Sequence, residues 1–254
     1  MATTYLDLTN EVLRELNEIP LTSANFATAI GLQKFVKDAV NKSIFDIANA
    51  EPQLPFFSAG VSGSTDPFYG NTTVATVAGQ RFYTLKDGSS SITTDFSSID
   101  WDDFYITTIN VSGESSPFVS KGLKYLTLAD WRRYYRDSEN SDDADSSHGE
   151  PVYVIKSPDS RKFGLSPIPD KVYNVHFYAF TKPTALDAHG DTMALPEQYS
   201  NVVTARTRYY VWQFKESPQQ AAFALDDYKK GLRSMKSNLM NPTPKYMTDD
   251  RKYF

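Results

Sequence analysis

Three histidines are the first candidates for chemistry in this 254-residue chain: His148, His176 and His189. No two stand at the i, i+4 spacing that puts a pair of imidazoles on one helical face, and no HExxH run occurs. A helical zinc site is therefore not written here. The three fall in an expected loop, strand and turn, where solvated or strand-edge histidines are the simpler reading. The second candidate is acidic: Asp142, Asp143, Asp145 and Glu150 lie in "SDDADSSHGE". A calcium loop of the EF-hand type needs carboxylates at alternate positions, then a glycine, then a bidentate glutamate. Only Asp143 and Asp145 alternate, and Ser146 and Ser147 follow, so an exposed acidic loop is expected. The third candidate, "ADWRRYYRD", mixes Arg132, Arg133 and Arg136 with Trp131, Tyr134 and Tyr135. Guanidinium groups and rings together can hold nucleic acid through phosphate contact and stacking. The adjoining acidic loop favours a short amphipathic helix instead, with its rings on a sheet and its arginines in water. No GxSxG elbow, Walker A loop or GxGxxG turn is present. No surrounding motif marks a carboxylate pair for glycoside hydrolysis. The residues call for no catalytic group, no metal and no cofactor.

Composition narrows the classes further. Cysteine is absent, which removes disulfides, thiol chemistry and cysteine-based zinc sites and fits assembly in a reducing cytoplasm. The net charge of −5 argues against a nucleic-acid binder that works by bulk basicity. Apolar residues make up 40% of the chain and charged ones 22%, enough for a packed core. The 16 Tyr, 16 Phe and 3 Trp need partners, in that core or at an interface. No apolar run approaches the ~20 residues that span a bilayer. The opening "MATTYLDLTNEVL" has no basic region leading into an apolar stretch, so neither a signal peptide nor a membrane partner is expected.

The elements that must carry these residues change period twice. "YLDLTNEVLRELNEI" places Leu6, Leu13 and Leu16 on one stripe and predicts a helix over 5–19, stopped by Pro20. A second helix is expected from near Asn25 to about Ala50, with Leu32, Val36, Val40, Ile44 and Ile47 inside. From about Gly60 to Gly190 the chain is rich in strand formers and turn signals. Its last three segments, "PVYVIKS", "RKFGLS" and "VYNVHFYAF", read as a meander joined by short turns. In the last of them Tyr173, Val175, Phe177 and Ala179 share a buried face, and Asn174, His176 and Tyr178 a wetter one. Helix returns over 196–214 and again over 218–240, where Ser217, Pro218 and Gln220 have the spacing of a capping box. The expected class is α+β. N- and C-terminal helical hairpins, 1–54 and 192–241, would close into a four-helix unit. A large antiparallel β-rich domain, 55–191, is inserted between them, and 242–254 is left as a tail.

Several stretches taken together resemble the head-to-tail adaptor proteins of tailed bacteriophages, of the tail tubular protein A type. "TYLDLTNEVLRELNEIPLTSANF" looks like their first helix and the loop after it. "AIGLQKFVKDAVNKSIFDIANAEPQLPFF" looks like their second helix with its aromatic ending. "GLSPIPD", the following strand and "LPEQY" are the most specific part of the likeness, and "SPQQAAFALDDYKKGLRSM" matches the final helix. The stretch from about 60 to 150 is longer than a minimal adaptor requires. The resemblance implies a virion structural protein at the head–tail junction, assembled in the host cytoplasm. It implies a dodecameric ring of identical copies below the portal protein. A downstream tail or nozzle protein would be a further partner, and genomic DNA would pass through without specific binding. It also implies that the C-terminal segment docks on the portal ring, with Tyr246, Met247, Arg251, Tyr253 and Phe254 as the contacting residues. A different class remains open at this point: a tail-fibre or base-plate component with a carbohydrate-binding or hydrolytic β domain. An intracellular helical binding module is a third.

Overall fold

The computed structural model describes residues 3–58, 72–84, 96–108, 120–136, 148–158 and 162–239. Its five α-helices are α1 (Tyr5–Glu15), α2 (Gly31–Ala50), α3 (Leu128–Tyr134), α4 (Ser200–Phe214) and α5 (Pro218–Leu239). Its strands are β1 (Thr72–Ala75), β2 (Phe82–Thr84), β3 (Phe96–Thr108), β4 (Ser120–Leu126), β5 (His148–Gly149), β6 (Tyr153–Lys156), β7 (Lys162–Ser166), β8 (Ile168–Pro169) and β9 (Tyr173–Thr181). The class is α+β, as the period changes imply. The chain divides into two compact units, Met1–Phe56 with Pro183–Phe254, and Phe57–Lys182.

In the first unit α1 packs on α2 and α4, α2 on α4, and α4 on α5. The apolar stripes meet there: Leu8, Val12 and Leu13 of α1, Val36, Val40, Ile44 and Ile47 of α2, and Val202, Val203 and Val211 of α4 are all buried. α5 approaches α4 through Gly231, where a Cβ would stand only 3.0 Å from Val202 Cγ2. The start of α1 is closed twice. Thr4 Oγ1 accepts from the Asp7 N–H at 3.2 Å while Asp7 Oδ2 accepts from the Thr4 N–H at 3.1 Å, a reciprocal capping box. Two further N–H groups of the first turn, Tyr5 and Leu6, donate to the carbonyls of Asp191 (2.7 Å) and His189 (3.1 Å). Residues 183–191 thus belong to this unit by hydrogen bonding, and Asn41 holds the Leu186 backbone from both sides at 2.8 Å.

Thr4→Ala is expected to cost about 1 kcal/mol in thermal or denaturant unfolding of this unit, because the first turn loses its side-chain acceptor. The Thr4 hydroxyl, and then its N–H, hold the Asp7 carboxyl below its usual range. A depressed carboxylate stabilises the fold above its unfolded pKa. That contribution is lost as pH falls through the lower folded value. Asp7→Asn should therefore flatten the acid limb of the unfolding curve, and an acid limb identical to wild type would refute the assignment.

Three helix ends differ from the sequence expectation. α1 ends at Glu15 rather than 19, and Pro20 is not its stop. Asn17 takes a left-handed φ of 56°, its N–H reaches Arg14 O at 3.0 Å and the Glu18 N–H reaches Leu13 O at 2.9 Å. That is a Schellman closure, which satisfies the last carbonyls. α2 begins at Gly31, not near Asn25 or 26. Residues 23–28 form turns instead, and Gly31 enters the helix at φ 60°, a value that interrupts any helix running in from upstream. The next helix opens as a 3-10 turn, Glu197–Tyr199, before α4 begins.

The second unit is built on a seven-stranded sheet of order β1-β9-β3-β4-β6-β7-β2. β6 and β7 form the expected antiparallel hairpin. The expected meander stops there, because β9 lies between β1 and β3 instead of beside β7. The Pro-Ile-Pro-Asp corner explains the departure. Ile168 and Pro169 leave the main sheet to pair with His148 and Gly149, so the chain re-enters at a different place. The sheet is not purely antiparallel either, since β4 and β6 run parallel. A parallel pair needs a crossover, usually helical, and α3 lies in that connection. The run "ADWRRYYRD" is that helix. Thr127 caps it by accepting from the Asp130 N–H at 3.1 Å, Trp131 is buried, and Arg81 lies over the Trp131 ring at 4.9 Å.

The core of this unit sits on one face of β9. Tyr173, Val175, Phe177 and Ala179 are buried with Phe104 and Ile106 of β3, Leu123 of β4, Val154 of β6 and Phe163 and Leu165 of β7. Register places like against like: Phe104 opposite Phe177 and Ile106 opposite Val175. The other face of β9 is less wet than alternation suggests. His176 is buried, with Thr73 Oγ1 3.0 Å from Nδ1 and Thr107 Oγ1 2.8 Å from Nε2. It is neither solvated nor at an edge, because β1 and β3 flank β9 on both sides.

Candidate interaction surface

The residues that could do chemistry are not brought together. His148 lies in β5, His176 in β9, and His189 in a turn with its ring 6.5 Å from that of Phe26. Among the described residues no group of three or more His, Cys, Asp or Glu could hold a metal ion. Glu150 pairs with Lys121 at 3.2 Å; Asp142, Asp143 and Asp145 fall outside the described residues. So do Tyr246, Met247, Arg251, Tyr253 and Phe254, the residues that the resemblance assigns to portal docking.

The helical unit does present surface that a core would not waste on water. Ile19, Ile30, Phe214 and Phe223 are large apolar residues left well exposed, Phe223 at 73%. Three of them are placed at one end of the unit by short connections. The Gln33 side-chain amide donates to Ile19 O at 3.0 Å, Ile30 directly precedes α2, and the Phe214 ring stacks on Phe35 at 4.5 Å. Exposed apolar patches of this kind mark association surfaces.

The turn between α4 and α5 shapes the adjoining groove. Glu216 takes a left-handed φ of 55°, its N–H bonds Gln213 O at 3.1 Å, and the Ser217 N–H bonds Trp212 O at 2.9 Å. This is a second Schellman closure, with glutamate where glycine is usual. Ser217 O then accepts from the Ala221 N–H at 3.0 Å and Pro218 opens α5, so the chain reverses within the three residues 215–217. The hollow so formed measures about 580 Å³ and is walled by Tyr209 and Gln213 on one side and Pro218, Ala221, Ala222 and Leu225 on the other.

A polar anchor fixes α4 against α2 beside this groove. Asp46 Oδ2 accepts from Arg206 Nε at 2.8 Å and from the Tyr210 hydroxyl, and Arg206 donates to the Tyr210 oxygen at 3.0 Å. The guanidinium lies 4.8 Å from the Tyr209 and Tyr210 ring centres and 5.0 Å from that of Tyr228. Burial, and then the bond to Asp46, push the Tyr210 phenol up to about 12. Burial alone would lower the Arg206 pKa, but the Asp46 bond and charge outweigh it and raise it.

Large apolar side chains left in water at Ile19, Ile30, Phe214 and Phe223 describe a partner-binding surface. The comparison with known families agrees. The SU10 adaptor protein family matches residues 3–251, and the chain belongs to that family. This accords with the head-to-tail adaptor resemblance and makes the protein a phage structural adaptor; the family implies a virion location and a non-enzymatic role. No curated protein was found that matches the chain. Among the described residues no helix is long and apolar enough to cross a membrane.

The sequence reading misses Phe223 and the groove. A signal is present. The apolar stripe of α5 runs through Ala221, Leu225, Tyr228, Leu232 and Met235, and Phe223 falls off it, on a face otherwise made of Gln219, Gln220, Asp226, Asp227 and Lys230.

Proposed function

We propose that this chain forms a ring of identical copies at the head–tail junction, below the portal protein, and continues the DNA channel toward a downstream tail or nozzle protein. The observation that carries the reading is the adaptor-family match, which spans residues 3–251 and so accounts for both units of the chain. Twelve copies is the number that the resemblance implies. In this reading 1–54 and 192–241 act together as a four-helix core made of two hairpins. Residues from 55 to 182 are the inserted domain, with 183–191 hydrogen-bonded onto the helical unit, and 242–254 dock on the portal through Tyr246, Met247, Arg251, Tyr253 and Phe254. The net charge of −5 supports passage of DNA rather than grip, since each phosphate-neutralising contact would slow sliding.

Electron cryo-microscopy of assembled particles tests the reading directly. A closed ring of this chain between portal and tail is the expected image; density for it in a fibre or base plate instead would overturn the assignment. Particles made with residues 242–254 deleted should lack the chain at the junction. Wild-type occupancy in those particles would remove the docking role of the tail and leave the ring standing.

A further inference from the structure

We infer that neighbouring copies join through α5, with Phe223 of one copy seated in the α4–α5 groove of the next. The inference rests on the ring reading above and specifies its subunit contact. Phe223 is 73% exposed and does not line the groove of its own copy. The α5 residues that do, Pro218, Ala221, Ala222 and Leu225, lie on another side of the helix. At about 100° per residue, Phe223 points roughly 150° around the axis from the centre of that side. A knob and a hollow on different faces of one subunit make a head-to-tail contact, which closes into a ring when the rotation permits.

Height along the helix supplies a second constraint. The proposed contact takes the ring axis parallel to α5; rotation about that axis keeps every residue at its own level, so knob and hollow must share one. Phe223 lies between Pro218 and Leu225, within the span of the groove. Charge supplies a third. Asp227 follows Phe223 by one turn on the knob side, and Lys229 follows Leu225 by one turn on the groove side. Seating Phe223 at the level of the groove brings Asp227 of one copy to within about two residues' rise, roughly 3 Å, of the level of the next copy's Lys229. Neither forms an ion pair within its own copy among the described residues, whereas Asp226 is already held by Lys230 at 2.7 Å. A second copy of this chain therefore offers the apolar plug, the matching level and the opposite charge together.

The test uses the full chain, free and in particles. Native mass spectrometry and negative-stain images should show wild-type rings. Phe223→Ala should raise the concentration for half-assembly by at least ~10-fold, as loss of a buried aromatic anchor does, while its unfolding midpoint stays at the wild-type value. Asp227→Lys and Lys229→Asp should each weaken assembly, and the double exchange should restore it. Because the natural chain has no cysteine, the pair Phe223→Cys with Gln213→Cys should give a ladder of disulfide-linked multimers from assembled particles on a non-reducing gel. Wild-type rings that survive Phe223→Ala, with no ladder, would overturn this contact and leave the ring reading intact. A chain that forms no ring, free or in particles, would overturn both.

Discussion

Phe177→Ala is expected to destabilise the sheet unit by about 3–5 kcal/mol, the range for emptying a fully buried phenylalanine site. Phe177 is 0% exposed. Its ring stacks on Phe104 with centres 4.9 Å apart and lies 6.0 Å from Phe163 and 6.4 Å from Phe96. The four rings come from β9, β3 and β7, and hydrogen-bonded backbones fix those strands, so the site cannot collapse to fill the space. A second loss adds to the cavity: each stacked or edge-on pair contributes about 0.5–1.5 kcal/mol beyond area burial. Trp101 stacks on Phe104 at 5.5 Å, so its fluorescence reports on this cluster during denaturant unfolding. Val172→Ala is the control, at a residue 46% exposed at the start of the same segment, and should shift stability by less than about 0.5 kcal/mol. A loss below about 1 kcal/mol for Phe177→Ala would mean that the cluster is not the core of the unit.

That core is legible in the residues themselves, because a strand with period-two alternation has only one way to bury Tyr173, Val175, Phe177 and Ala179 together. Its neighbours are not. Which strand lies beside β9 depends on where the chain re-enters the sheet, and that is decided by the pairing of Ile168 and Pro169 with His148 and Gly149. Two such residues leave no periodic mark. His176 shows the same limit: alternation assigns it to the second face, but only the flanking strands β1 and β3 make that face dry. Helix stripes follow from spacing, whereas helix ends do not. Pro20 looks like a stop, yet the hydrogen bonds of Asn17 and Glu18 end α1 earlier. Left-handed closures at Asn17 and Glu216 lack the glycine that would announce them. The exposed apolar surface of the helical unit is not legible beforehand, since apolar rings in water carry no motif and the resemblance points to the C-terminal segment instead. The single local hint is Phe223, placed off the stripe that α5 needs for its own packing.

Asp46→Ala should cost the helical unit about 2–4 kcal/mol, nearer the upper figure than a surface ion pair would suggest. The Arg206 and Asp46 side chains are 19% and 26% exposed, so water cannot fully replace the lost partner. The guanidinium would remain among Tyr209, Tyr210 and Tyr228 without its counter-ion, and the Tyr210 hydroxyl would lose its acceptor. Removing both charges is a different experiment. Asp46→Leu with Arg206→Leu should recover most of the loss, because the cost comes from the orphaned cation more than from any net gain of the pair. Tyr210 gives an independent readout. Its phenol is raised from 10.0 to about 12 in the folded chain by burial and by Asp46. A raised folded value favours the protonated native state, so its contribution is complete below pH ~10 and is lost as pH climbs from there toward 12. In Asp46→Ala the phenol should ionise at lower pH by ultraviolet difference titration, and the alkaline fall in stability should begin and end earlier. If single and double variants are equally destabilised and the alkaline limb does not move, the network is not what holds α2 to α4, and the apolar stripes of Val40, Ile44 and Val203, with the buried Thr207–Ser43 hydrogen bond at 3.1 Å, carry that contact.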